Sequence, residues 1–249
     1  MVEPKEEKIY KKLSLVYHYL MRSVSYEDWA KYIYRLVAGR ISKHGRVLEL
    51  GGGNCKFAGF FNYYFPNIIV SDISSDMLRS GGKKFPKVCC DMSAFPFKNK
   101  FDLVYSTFDS VNYLTTRKGL VSLFKEVSEH LNDKGIFTFD ASLEKNSIIH
   151  SKLPLRKGIY KGIHFKQKSE YDYESRIHRN IFKIKTKDGE VYTEIHKQRI
   201  YPFEDYFEFL DLCGLYVEEC FDAFSFQNGG PGSERVQFIV KKRTRNAGI

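Results

Sequence analysis

Arg46-Val47-Leu48-Glu49-Leu50-Gly51-Gly52-Gly53-Asn54-Cys55-Lys56-Phe57 joins a short apolar run to three glycines and then to a helical pattern. Val47, Leu48 and Leu50 predict a strand buried on both faces of a parallel sheet. Glu49, inside that strand, requires a partner, because an isolated buried carboxylate is costly and raises its pKa instead. The glycines let the backbone turn tightly and approach a ligand with no Cβ in between, and the helix that follows aims its free N–H groups at the same spot. Such a turn predicts a nucleotide-type cofactor site. A dinucleotide turn reads G-x-G-x-x-G, and with Gly51 and Gly53 as its first two glycines, Lys56 stands where the third belongs. The NAD reading fails at that residue.

The next apolar run, Ile68-Ile69-Val70-Ser71, ends in Asp72, about twenty residues past the glycines, where an acid at a strand tip binds a ribose. An adenosine diol fits, and a pyrophosphate is not demanded. These residues resemble the class I S-adenosylmethionine-dependent methyltransferases. The family's first motif, E/D-x-G-x-G-x-G, becomes Glu49 to Cys55, with Cys55 in place of the last glycine. The resemblance implies an α/β fold: a Rossmann-like seven-stranded, mostly parallel sheet with helices on both faces. It implies S-adenosyl-L-methionine as cofactor, with Glu49, Gly51, Gly52, Gly53 and Asp72 among its contacts. Asp72-Ile73-Ser74-Ser75-Asp76-Met77-Leu78 matches the family's D-x-S-x-x-M-L, which adds Ile73 and puts Met77 near the adenine; Asp72 as a plain helix cap is the alternative.

A third strand, Lys87 to Cys90, leads into Asp91-Met92, which the resemblance makes an adenine contact and which could equally be a turn cap. The fourth, Phe101 to Tyr105, opens into Ser106-Thr107-Phe108-Asp109-Ser110-Val111-Asn112-Tyr113-Leu114. All four loops fall at the carboxyl edge of one sheet, where open α/β folds bind ligands. Ser106 and Thr107 join the candidate cofactor contacts. Asp109, Asn112 and Tyr113 are candidate substrate contacts, or they fix the loop itself. This loop lacks the D/N/S-P-P-Y/F/W and Pro-Cys signatures of enzymes acting on nucleic-acid bases and resembles that of small-molecule methyltransferases.

Ahead of the glycines, Lys8 to Gly39 has apolar residues at helical spacing, predicting two helices that part near Val24-Ser25-Tyr26. Tyr10-x-x-Leu13-x-x-x-Tyr17-x-x-Leu20-Met21 resembles a leader, Y-x-x-(F/L)-A-x-x-Y-D-x-L-M, with Ser14 and His18 at the Ala and Asp positions. In that subgroup the leader is a lid, which implies Tyr10, Tyr17 and Trp29 as cofactor contacts; ordinary packing of surface helices gives the same spacing. Downstream come a helix from Arg117 to Leu131, a fifth strand from Ile136 to Asp140, and period-two alternation from about Gly158 to Tyr201, turned at Lys187-Asp188-Gly189-Glu190. This predicts an antiparallel β insertion after strand 5, which the resemblance implies covers the substrate side. His164, His178 and His196 lie on it. Surface histidines are the commoner case, and Asp109 and His196 are the candidate catalytic bases. A helix from Pro202 to Cys213 and a final hairpin around Gln227-Asn228-Gly229-Gly230-Pro231-Gly232-Ser233 complete the sheet. The expected organisation is one domain, 1–249: a helical lid at 1–45, a cofactor-binding core at 46–157, the substrate-side insertion at 158–201, and the last helix and hairpin at 202–249.

The 249 residues suit one such domain. The formal charge is +10, but the cations interleave with acids, including those near Lys241-Lys242-Arg243-Thr244-Arg245. A solvated surface explains most of it; nucleic acid stays open as a partner and is not favoured. Five cysteines without a C-x-x-C pair predict buried free thiols in a reducing compartment and no metal site. No run has the length of a membrane span and the first residues are too charged for a signal peptide, so a cytoplasmic protein with no membrane partner is expected. No pattern indicates the oligomeric state. The functional expectation is in-line methyl transfer to an N or O nucleophile of a small molecule. An RNA methyltransferase and a non-catalytic S-adenosylmethionine-binding module remain as alternatives.

Overall fold

The computed structural model describes residues 5–82 and 84–243, so the expectations for 1–4 and 244–249, the end of the basic tail included, lie outside the described residues. In chain order, β1 is Lys5–Glu6, α1 Ser14–Leu20 and α2 Tyr26–Val37. The glycine-loop strand is β2 (Val47–Leu50), followed by α3 (Lys56–Phe61), β3 (Ile68–Asp72), α4 (Ser75–Ser80), β4 (Lys87–Cys89) and β5 (Phe101–Ser106). Then come α5 (Arg117–His130), β6 (Leu131–Ser142), α6 (Glu144–Ser151) and the strands β7 (Arg156–Tyr160), β8 (Ile163–Asp172), β9 (Ile177–Lys185) and β10 (Val191–Arg199). The chain closes with α7 (Phe203–Leu212), β11 (Leu215–Asp222) and β12 (Arg235–Lys242).

Seven strands form one sheet in the order β11-β12-β6-β5-β2-β3-β4. The pairings from β4 across to β6 are parallel, and β12 and β11 run antiparallel at one edge. From β2 the chain moves outward to β3 and β4, then returns to lay β5 on the other side of β2. The order reverses there, and the crevice at the carboxyl ends of β2 and β5 is where such sheets bind ligands.

Alternation along β2 sends Leu48 and Leu50 to one face, where Leu120, Leu123, Phe124 and Val127 of α5 and Tyr206 and Leu210 of α7 cover them. Val47 goes to the other, against α2 and α3. Each of these fully buried apolar side chains contributes about 1.5–3 kcal/mol. Two of these helices, α2 and α5, start on side-chain caps: Ser25 Oγ accepts the Asp28 N–H, and Thr116 Oγ1 the Gly119 N–H.

The other five strands form a second sheet, β1-β10-β9-β8-β7. It begins at Arg156, close to the expected boundary at 158, and two of its features are absent from the sequence reading. Helix α6 precedes it and packs on β8. The leader is not purely helical, because β1 pairs in parallel with β10 through Lys5 opposite Tyr192 and Glu6 opposite Thr193. The leader is therefore strapped to the insertion. Leu13, which precedes α1, and Val16 and Leu20 within it then pack on Phe165, Phe182 and Ile184 of the second sheet.

Cys55 adopts a left-handed backbone, φ 59°, at the place where the motif's third glycine is usual. The strain, about 1–2 kcal/mol for a residue with a Cβ, is offset by burying its thiol at 3% exposure beside Gly81. All five cysteines are free, but only Cys55 is buried and Cys89 is exposed, so the expectation of uniformly buried thiols does not hold.

Candidate functional site

Gly51 turns the chain with φ +66°. At Gly52 the limit is space: a Cβ would lie 2.4 Å from Val70 and 2.8 Å from the Glu49 carboxylate. The loop is therefore drawn against the two strands that flank it, and a cleft opens above it between Gly53, Asp72, Met77, Met92 and Thr107. Asp72 braces that wall: its Oδ2 accepts the Gly53 N–H at 2.8 Å and its Oδ1 the Ser74 N–H at 2.7 Å. Burial pushes its carboxyl above the usual range. Glu49 lines the same cleft at 1% exposure, and neither carboxylate oxygen has a hydrogen-bond partner. Burial raises its pKa well above 4.5, with the Tyr105 phenol opposing the shift and Asp72 adding like charge. A buried acid in such a setting is poised for a cation.

The cleft itself holds about 100 Å³. It shares Gly51, Asp72, Ile73 and Met92 with an adjoining cleft of about 430 Å³ that Asp91 borders. Tyr10 and Tyr17 line it from the leader side. His18 is exposed, so its difference from the leader pattern costs no contact.

On the other side of those tyrosines is a cavity of about 910 Å³, enclosed by the leader, α2, the loop after β5 and the inner face of the second sheet. Tyr10, Tyr17, Phe108 and Tyr113 line both spaces, so the two meet at these four rings. Hydrogen bonds run along the junction. The Tyr10 and Tyr113 hydroxyls are 2.7 Å apart, Tyr113 is 3.2 Å from His196 Nδ1, and His196 Nε2 is 3.2 Å from Glu194 Oε2. Burial lifts both phenols well above 10, so they stay protonated. Backbone strain gathers here too: Tyr10, Phe108 and Asp109 have φ of 63°, 62° and 48°. Non-glycine residues hold such angles where the surrounding structure enforces them, commonly at functional sites.

Several candidates fall elsewhere. Ser106 donates its hydroxyl to Leu50 O inside the sheet, whereas its neighbour Thr107, pointing the opposite way, reaches the cleft. Asn112 is fully buried; its amide donates to Arg199 O at 2.8 Å and to Ser142 O at 3.3 Å, and its oxygen accepts the Ser142 N–H. It holds the loop and has no group left for a substrate. Trp29 is not on the cofactor cleft: it packs on Phe108 and Phe224 and lines the large cavity, its Nε1 unpartnered. Asp91 is exposed and caps its own turn, Oδ1 accepting from the Ser93 N–H and hydroxyl. Asp109 lines the large cavity, but its carboxylate is held by Arg235 at 3.3 Å and Gln198 at 2.9 Å, and Arg235 is also bonded to Asp140. Both of its carboxylate oxygens are thus engaged by neighbouring side chains. Of the histidines, His178 and His196 face the cavity and His164 faces solvent.

Glu194, Gln198, Phe108 and Arg235 were not identified from the sequence. The signal for the first two was there: Glu194, His196 and Gln198 alternate along one strand, and all three are buried polar residues. Among the described residues no group of three His, Cys, Asp or Glu could hold a metal ion, and no helix is long and apolar enough to cross a membrane.

Residues 47–135 match the family described as a methyltransferase domain. YqeM of Bacillus subtilis (strain 168), named a methyltransferase on a provisional basis, is 27% identical over 94% of this chain and 97% of its own length. A dTDP-3-amino-3,4,6-trideoxy-alpha-D-glucopyranose N,N-dimethyltransferase of Streptomyces venezuelae is 31% identical over 47% of this chain and 51% of its own. The crystal structure of an S-adenosylmethionine-dependent methyltransferase from Clostridium acetobutylicum ATCC 824 shares the fold with a TM-score of 0.79, at 24% identity over 94% of this chain and 99% of that one.

Proposed function

We propose that the chain is a class I S-adenosylmethionine-dependent methyltransferase and that it transfers a methyl group to an N or O nucleophile of a small molecule held in the large cavity. The observation that carries this reading is the junction of the two spaces at Tyr10, Tyr17, Phe108 and Tyr113. S-adenosylmethionine, when bound, supplies an electrophilic methyl on a sulfonium sulfur. Asp72 would hold its ribose hydroxyls, Met77 and Met92 its adenine, and the unpartnered Glu49 carboxylate its ammonium group.

The remaining work is alignment, exclusion of water and removal of one proton. Tyr10 and Tyr17 close the junction from the leader side and Phe108 from the loop. The proton released by the acceptor passes through the Tyr10 and Tyr113 hydroxyls to His196, which takes the base role in place of the ion-paired Asp109. A cavity of about 910 Å³ is in the range of small-molecule sites. The partial likeness to a sugar N,N-dimethyltransferase favours an amine over a hydroxyl. The basic C-terminal strand is weak support for RNA as acceptor, since Lys241, Lys242 and Arg243 lie beside Glu218, Asp133 and Asp211.

The reading is tested by isothermal titration with S-adenosylhomocysteine and by transfer of labelled methyl to a panel of small amines and alcohols. Micromolar binding at one site per chain, turnover on a panel member and at least tenfold slower turnover by Tyr113→Phe are expected. Binding without turnover across the panel would favour the non-catalytic module, and RNA affinity that falls steeply with salt would favour the nucleic-acid reading.

A further inference from the structure

Glu194 lies in the middle of β10, fully buried. Its Oε1 accepts the backbone N–H groups of Lys12 at 2.5 Å and Leu13 at 3.0 Å. Its Oε2 accepts the Tyr10 N–H at 2.8 Å and faces His196 Nε2 at 3.2 Å. Three of these donors belong to the leader where it enters α1; the fourth belongs to the base assigned above. One carboxylate thus touches both the lid and the proton acceptor.

We propose that Glu194 is a positioning residue that fixes the His196 imidazole as its Nε2–H tautomer and makes that orientation depend on closure of the leader. The inference rests on the methyltransferase reading for the role of His196, but its geometry stands independently. A carboxylate offers about four lone-pair positions and no proton, and here four donors fill them. The nitrogen that faces it must carry the hydrogen. Nδ1 is then the acceptor, so the Tyr113 hydroxyl donates to it and the Tyr113 oxygen accepts from Tyr10.

The relay thereby acquires a direction. A proton arriving on the Tyr10 oxygen moves the Tyr10 hydrogen to Tyr113 and the Tyr113 hydrogen to Nδ1, leaving an imidazolium against the Glu194 carboxylate. Both phenols end as they began. The opposite tautomer would point Nδ1–H at Tyr113 and leave nothing to take the proton.

Closure enters through the three backbone donors. The leader is held at its start by β1 on β10, continued by the Glu7 N–H to Thr193 O at 3.0 Å, and at its end by the packing of α1 on the second sheet. Between these anchors, Tyr10 to Leu13 touches the strand through Glu194. When this segment lifts, the carboxylate loses three donors at once and the relay loses the Tyr10 hydroxyl.

Histidine-labelled full-length protein, read by long-range ¹H–¹⁵N correlation at alkaline pH, tests this without any acceptor. The parent protein should show His196 with Nε2 protonated and Nδ1 bare. Nδ1–H in the parent would overturn the proposal outright. In Glu194→Gln the amide presents donors where Tyr10 N–H and His196 Nε2 need an acceptor. The tautomer should shift toward Nδ1–H, and the amides of Tyr10, Lys12 and Leu13 should exchange with deuterium at least tenfold faster. Faster exchange with the tautomer unchanged would mean that Glu194 only caps α1; a changed tautomer without faster exchange would remove the coupling to the leader. Either result overturns the proposal. Titration with S-adenosylhomocysteine on the same samples keeps the two readings apart: absent binding counts against the methyltransferase reading, whereas binding together with Nδ1–H counts against this inference alone.

Discussion

Replacing Asp72 with Ala removes a carboxylate that does two things, and its effect on S-adenosylhomocysteine affinity can be divided between them. Each oxygen already accepts one backbone N–H, from Gly53 or Ser74, and keeps another lone pair for a ribose hydroxyl. A hydrogen bond to a charged group is worth about 1.5–3 kcal/mol net. Counting one such bond to the diol, Asp72→Ala should weaken binding roughly ten- to a hundredfold, at tenfold per about 1.4 kcal/mol. The freed N–H groups of Gly53 and Ser74 also loosen the glycine loop, which weakens binding by a different route. A 2′-deoxy analogue separates the two. If Asp72 holds the diol, the parent protein loses about tenfold on the analogue while Asp72→Ala loses almost nothing further, a coupling of about 1.5 kcal/mol. Titration calorimetry at pH 8 measures all four affinities. Affinity of Asp72→Ala within twofold of the parent, or additive losses in the four-way comparison, would refute the ribose assignment.

Glu49→Gln should stabilise the free protein at neutral pH and cripple the site. The Glu49 pKa is raised by burial well above 4.5, so the folded chain keeps a proton that the unfolded chain has released. The parent therefore loses stability as pH climbs from about 4.5, and the melting-temperature advantage of Glu49→Gln should widen between pH 5 and pH 8. A flat difference would show that the acid is not buried and unpaired. The same variant should bind S-adenosylhomocysteine at least tenfold more weakly and lose the proton release that calorimetry in two buffers detects for the parent. Asn112→Ala should be a stability mutant: it leaves the Ser142 N–H and Arg199 O unpaired in the interior, about 2–4 kcal/mol, or roughly 5–15 °C of melting temperature for a chain of this size. A variant that melts with the parent but loses acceptor binding would restore Asn112 to the substrate.

The fold was legible because its signals are local. Each core strand announces itself as an apolar run ending in a loop of polar residues or glycine, and the loops at Gly51, Asp72, Asp91 and Thr107 sit at one sheet edge whatever the details of packing. The cofactor side of the site follows directly from that edge. Its errors also have local causes. Ser106 and Thr107 are adjacent on an extended backbone, so one had to face the sheet and the other the cleft, and nothing in the pair says which. Trp29 lies at the helical spacing expected of a lid, but α2 packs on the core sheet and turns it toward the other cavity. The β1 strap is only Lys5–Glu6, too short to leave a period.

The acceptor side was illegible for a reason that the second sheet makes plain. In a strand over a hydrophobic core, the apolar residues face in; along β10 the arrangement is reversed, with Glu194, His196 and Gln198 buried and Val191, Ile195 and Lys197 turned outward or half-exposed. Shifting the assignment by one residue exchanges the faces entirely, so hydropathy alone picks the wrong one. The reversal is itself informative. Burying three polar side chains from one strand is tolerable only if each finds partners, and each does so in a different part of the chain: the leader for Glu194, Tyr113 for His196, and Asp109 for Gln198. The inner row of β10 is thus a polar strip on a face that is otherwise apolar around Phe165, Phe182 and Ile184; it meets the lid and the loop after β5 at once, and β10 is the element that brings those two segments to the same base.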